Sequence, residues 1–185
     1  EEVYELRDEF EPLLAHEVCD RRQTRLERHA AVARLQNDPV VRARIPAPDE
    51  RSQWQWWTSR RDARLEFRTT AVHGERTDEI ARRLDLVLAG ARVLVVQGGI
   101  NDVVQRRRPE DAAGNLEAML ERGRAAGLCL AVADLLPWNN GDERAAEDIR
   151  RLNALIARVA WNVGATVLPF HDTLADPADP TRMGA

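Results

Sequence analysis

The chain has 185 residues, 44% of them hydrophobic and 31% charged, which fits one globular domain with a sizeable core. Its net charge of −4 gives no basic footprint for nucleic acid. Every one of the 27 cationic side chains is arginine, spread over predicted helix surfaces rather than gathered in a patch.

Cys19 and Cys129 are too few for a disulfide framework or a cysteine metal cluster. His16, His29, His73 and His171 lack zinc-ligand spacing. No metal-ligand cluster is therefore expected. No apolar run reaches the ~18 residues of a membrane span, and no signal-peptide pattern is visible, so the expected location is the cytoplasm. The chain opens on Glu and ends on Arg182-Met183-Gly184-Ala185, so further residues are expected beyond both ends.

In chain order, residues 1–36 are charged, helix-prone and free of glycine. Arg21–Leu35 reads as an arginine-rich helix with a modest stripe of Leu26, Val32, Ala33 and Leu35. Residues 37–64 hold Pro39, Pro46 and Pro48, then an aromatic stretch whose Trp54, Trp56 and Trp57 are expected to anchor a helix in the core. Leu65–Val72 reads as a strand ending at His73-Gly74. Thr77–Leu88 reads as a helix with Ile80, Leu84, Val87 and Leu88 on one face, and Asp78 and Glu79 in its first turn suit the helix dipole.

Arg92–Gln97 carries Val93-Leu94-Val95-Val96, a continuous apolar run typical of a strand buried on both faces. Pro109 opens a second helix with Leu116, Met119 and Leu120 inward and Gly127 as its C-terminal cap. Leu128–Leu136 is a further buried strand. Asp142 can cap a third helix whose Ile149, Leu152, Ile156, Val159 and Val163 share a face, with Gly164 at its end. Ala165–Pro169 is the last strand. Such alternation means βαβ units, a parallel sheet and helices on both faces. Ligands of these sheets bind beyond the carboxyl ends of the strands. Those ends carry His73-Gly74, Gly98-Gly99-Ile100-Asn101-Asp102, Pro137-Trp138-Asn139-Asn140-Gly141 and Phe170-His171-Asp172.

The Gly99-Ile100-Asn101-Asp102 turn resembles the G-x-N-D block of the SGNH/GDSL esterase and lipase family. Val72-His73-Gly74-Glu75-Arg76-Thr77 resembles that family's glycine block, and residues 136–141 and 152–156 resemble its later segments. The resemblance covers roughly residues 37–185. It implies a three-layer α/β/α sandwich with a flavodoxin-like parallel sheet, preceded by a divergent helical segment over 1–36 in place of the first strand.

It also implies hydrolysis of a small-molecule ester by a serine triad with a three-donor oxyanion hole, with no cofactor or metal required. Gly74 would supply a backbone N–H and Asn101 its side-chain amide, which donates without carrying charge. Losing one such donor costs ~3–4 kcal/mol of transition-state stabilisation in a comparable hydrolase. Gly99, His73, Trp138 and Asn139 are the expected substrate contacts, and Asp102 is expected to fix the loop. The bland readings stand beside these: a glycine at a strand end can be only a turn, and an asparagine there can simply cap backbone groups.

The family's Gly-Asp-Ser and Asp-x-x-His segments are not found. The only serines are Ser52 and Ser59, both placed on or before the tryptophan helix, and His171-Asp172 has the wrong order and spacing for the base. The chain as written is expected to be a poor or inactive esterase. The alternatives are a noncatalytic small-ligand-binding protein that keeps the pocket, and an interaction module built on residues 1–36.

Overall fold

The computed structural model describes residues 29–35 and 54–184. Five strands form one sheet: β1 (His29–Leu35), β2 (Glu66–Ala71), β3 (Val93–Val96), β4 (Cys129–Ala133) and β5 (Thr166–Leu168). Their spatial order is β2-β1-β3-β4-β5, and every neighbouring pair is parallel. This is the flavodoxin-like order, whose topological switch point lies between β1 and β3.

The expected helix over Arg21–Leu35 is corrected here. Residues 29–35 are a strand, and a central one. Ala30 pairs with Phe67 of β2 and with Val93 of β3. The run Ala30-Ala31-Val32-Ala33 is favourable to helix in isolation. Pairing with strands on both sides outweighs that local preference, because strand propensity is largely set by neighbours. Residues 21–28, like the rest of 1–28, lie outside the described residues.

Helices alternate with the strands: α1 (Trp54–Arg61), α2 (Thr77–Arg82), α3 (Asp85–Leu88), α4 (Ile100–Val104), α5 (Pro109–Ala125), α6 (Glu143–Val163) and α7 (Phe170–Leu174). The alternation of side chains across β3 and β4 divides the core in two. Leu94, Val96, Leu130 and Val132 face a large cluster with Leu116, Met119 and Leu120 of α5 and Leu152 and Ile156 of α6. Val93, Val95, Ala131 and Ala133 face a smaller one with Leu168, Phe170, Trp54 and Phe67. Helices thus cover both faces of the sheet. None of the described helices is long and apolar enough to cross a membrane.

The caps fall where the sequence puts them. Asp142 accepts from Ala145 N at 2.8 Å at the start of α6. Gly164 ends that helix at φ 72°, a left-handed conformation natural to glycine. Two expectations change. The single helix over 77–88 is two short ones, joined by tight i→i+3 bonds such as Arg83 N to Ile80 O at 3.1 Å and Val87 N to Leu84 O at 3.0 Å, while Ile80, Leu84 and Val87 stay buried.

Of the three tryptophans on α1, Trp54 alone packs into the smaller core cluster, edge-on to Phe67 at 5.5 Å and to Phe170 at 5.9 Å. The helix turns residues 54, 55 and 58 inward, so Trp57 is 45% exposed. Trp56 stacks edge-on to Trp57 at 4.8 Å, under the Arg60 guanidinium. Cys129 is disulfide-bonded rather than free.

Candidate active site

Gly74 follows β2, and Asn101 follows β3 in the first turn of α4. β1 lies between those two strands, so their axes stand about 10 Å apart at ordinary strand spacing. The loops close that distance. Asn101 Nδ2 donates to Glu75 O at 2.8 Å. The next residue, Asp102, is 4% exposed and accepts from Thr77 N at 2.9 Å and from Thr77 Oγ1 at 2.9 Å. Asn115 Nδ2 of α5 donates to the same hydroxyl at 3.0 Å. That bond occupies an oxygen lone pair and leaves the hydroxyl proton for Asp102.

Asp102 therefore caps the first turn of α2 from another helix, satisfying an amide that α2 itself cannot. Burial raises the Asp102 carboxyl above the usual aspartate range, against the lowering effect of the Thr77 bonds. Asp102 is thus a loop-fixing acceptor, the part the sequence suggested.

Gly74 has φ +83° and sits at the third position of a turn in which Glu75 N reaches Val72 O at 3.4 Å. A positive φ there, with none at His73, defines a type II turn. Type I and type II turns differ by a flip of their central peptide, here His73–Gly74. The sign of this φ thus decides which way the Gly74 N–H points. Among the described residues no acceptor takes that N–H, and the second N–H of the Asn101 amide is likewise unclaimed. An asparagine amide has two donors, so one can hold the loop while the other serves a ligand oxygen.

The other expected residues are placed differently. His73 is exposed on the same turn. Gly99 is buried at φ +119°, and a Cβ there would meet Leu152 Cδ2 at 2.9 Å and Leu135 Cδ1 at 3.3 Å. Gly98 similarly faces Ile80 Cδ1, at 2.8 Å from an added Cβ. The two glycines let α6 and α2 pack against the turn that presents Asn101. Trp138 and Asn139 line a cavity of about 610 Å³ beside the start of α6, which none of His73, Gly74, Gly99 and Asn101 lines. Asn139 Oδ1 accepts from Met183 N at 2.7 Å and so holds the C-terminal turn.

His171 opens α7 after β5, with its backbone N–H on Asp134 Oδ1 at 2.8 Å and its Nδ1 3.2 Å from Asp172 Oδ1. Burial raises the Asp134 carboxyl, partly offset by the His171 N–H. β5 is two strands from β3, so His171 stands roughly 10 Å across the sheet from the Asn101 loop.

Ser59 lies near the end of α1, just before β2 begins. That is the amino-terminal edge of the sheet, a strand length of about 20 Å from the Gly74 edge. Ser52 lies outside the described residues. Sequence reading gave Asn115 and Gln105 no part in the site, and Thr77 only a place in the glycine block. Gln105 was findable, because it follows Asn101 by four residues and so shares its helix face.

The profile of the GDSL-like lipase/acylhydrolase family matches residues 45–185. No curated protein sequence matches the chain. Among solved structures, the SGNH-hydrolase family esterase AlinE4 is similar at 19% identity and a TM-score of 0.60, over 84% of this chain and 82% of that one. The psychrotrophic esterase EstA from Pseudoalteromonas sp. is similar at 15% identity and a TM-score of 0.61, over 81% and 85% of the two chains. A GDSL-like lipase from Bacteroides thetaiotaomicron VPI-5482 is similar at 17% identity and a TM-score of 0.61, over 85% and 74%. At such identities these likenesses speak for the fold. With the β2-β1-β3-β4-β5 sheet and a family profile that spans most of the sequence, the chain belongs to the GDSL-like lipase/acylhydrolase family.

Proposed function

We propose that the chain hydrolyses small carboxylic esters slowly, by holding the carbonyl oxygen between the Gly74 N–H and the Asn101 side-chain amide. The observation that supports this most is the 2.8 Å bond from Asn101 Nδ2 to Glu75 O. It ties the asparagine to the loop of the glycine and leaves one amide proton of each for the same neighbourhood. Attack on an ester places negative charge on the carbonyl oxygen, and preorganised neutral donors stabilise that charge at little reorganisation cost. His73, beside Gly74, and Trp138 and Asn139, on the cavity beside the start of α6, are proposed substrate contacts.

The rate is proposed to be low because the sequence holds no Gly-Asp-Ser or Asp-x-x-His segment and Ser59 lies at the opposite sheet edge from Gly74. Binding and oxyanion stabilisation without a triad give about 10³–10⁴-fold over water in a well-studied hydrolase. The test is hydrolysis of p-nitrophenyl acetate by the chain and by Asn101→Ala. Turnover above buffer that drops about 10²–10³-fold in the variant supports the reading. A rate that ignores the substitution refutes it.

The position of Ser59 also favours a second reading, a noncatalytic protein that binds small esters or carboxylates on the same two donors. No turnover, together with a Tm that rises with butyrate and stops rising in Asn101→Ala, would select that one.

A further inference from the structure

We infer that Gln105 is a positioning residue for the Gly74 donor, an inference that rests on the reading of Gly74 as an oxyanion contact. Gln105 closes α4 and is itself held in place. Its N–H reaches Asn101 O at 3.0 Å, Arg106 then turns to φ 58°, and Arg107 N returns to Asp102 O at 2.8 Å. From this fixed point the carboxamide makes two bonds. Nε2 donates to Gly74 O at 3.3 Å, and Oε1 accepts from Arg76 Nη1 at 2.8 Å.

The polarity of that pair is forced. A guanidinium only donates and a peptide carbonyl only accepts, so the amide oxygen must face Arg76 and its nitrogen must face Gly74. Arg76 is in turn held by Asp78 at 3.0 Å and Glu79 at 3.2 Å. The turn needs this help, since its own closing bond, Glu75 N to Val72 O, is long at 3.4 Å. With Asn101 on the Glu75 carbonyl and Gln105 on the Gly74 carbonyl, two consecutive peptides are pinned from one short helix. They hold the two peptides that follow Gly74, and through its Cα the nitrogen that carries the donor; the φ of +83° then sets the N–H direction. Gln105 touches no reacting atom in this scheme and acts only through Gly74.

The test uses the full chain with Gln105→Glu and Gln105→Leu. Glutamate keeps the acceptor for Arg76 and removes the donor to Gly74; leucine removes both. The readouts are the amide order parameter of Gly74 by ¹⁵N relaxation, Tm, and kcat and KM on p-nitrophenyl acetate. In both variants the Gly74 order parameter should fall from a rigid value near about 0.85 to below about 0.6. Tm should stay within about 2 °C, because an exposed side chain carries little stability. kcat should drop about three- to tenfold with KM unchanged, the size of one modest hydrogen bond.

An unchanged Gly74 order parameter in both variants overturns the inference. So does a loss confined to the leucine variant, since that assigns the effect to the Arg76 contact. A Gly74 that loosens while turnover ignores both Gln105 and Asn101 substitutions leaves Gln105 as the anchor of the turn and refutes the oxyanion reading instead.

Discussion

Gly74→Ala separates a turn glycine from a donor glycine. A Cβ built on Gly74 meets nothing within 4 Å, yet φ is +83°. The penalty is therefore backbone conformation alone, about 1–2 kcal/mol for an L-residue in the left-handed region. At about 2–4 °C per kcal/mol for a chain of this size, Tm should fall by about 2–8 °C. The chain can escape the penalty by flipping the His73–Gly74 peptide to make a type I turn, which reverses the direction of the Gly74 N–H.

Loss of one oxyanion donor lowers kcat by about 10²–10³-fold in a comparable hydrolase, far more than the stability change would suggest. Gly164→Ala is the matched control. It has φ +72° and open space at Cβ, so it bears the same backbone cost at the end of α6, away from the turn. Thermal melts and p-nitrophenyl acetate hydrolysis on both variants decide the matter. Equal falls in Tm with turnover lost only in Gly74→Ala are expected. Equal losses of turnover in the two variants would refute the argument that the sign of φ at Gly74 aims a donor.

Gly99→Ala should cost more stability than Gly74→Ala, because its Cβ would meet Leu152 Cδ2 at 2.9 Å on top of a φ of +119°; chemical denaturation of the two variants gives the order. Ser59→Ala should leave any ester turnover unchanged, and a drop in rate would place the chemistry at the wrong edge of the sheet. Asp102 makes a pH prediction. Its folded pKa is raised above 3.8 by burial, so its contribution to stability is fully present below 3.8 and is lost as pH rises through the folded value. The Tm of the parent relative to Asp102→Asn should therefore climb on acidification from neutral pH towards that range, and a difference that stays flat with pH would contradict the burial argument.

The helical and strand pattern after residue 65 was legible because each element carried its own punctuation. Asp142 and Gly164 bracket α6, and Pro109 opens α5. The four-residue run 93–96 is apolar throughout because both of its faces are covered. What stayed hidden depends on partners. His29–Leu35 has alanines that suit a helix, and only its two parallel neighbours make it a strand. Trp56 and Trp57 look like core residues until α1 is rotated by Trp54, Gln55 and Thr58. The Gly99 motif was visible, but its packing role needed Leu152, which lies 53 residues later in the chain (152 − 99).

The position of β1 explains why the two motifs had to meet. Gly74 and Asn101 terminate β2 and β3, strands that share no hydrogen bond because β1 separates them. Ordinary strand spacing would leave their backbones about 10 Å apart, too far for two donors to share one oxygen. The Asn101–Glu75 and Asp102–Thr77 bonds pull the loops together over the carboxyl end of β1. A carbonyl oxygen held by both donors must then lie above that strand end, so whatever attacks the ester carbon is confined to the few ångströms around it. Ser59 and His171 fail this condition for the same geometric reason, one by a strand length along the sheet and the other by three strands across it.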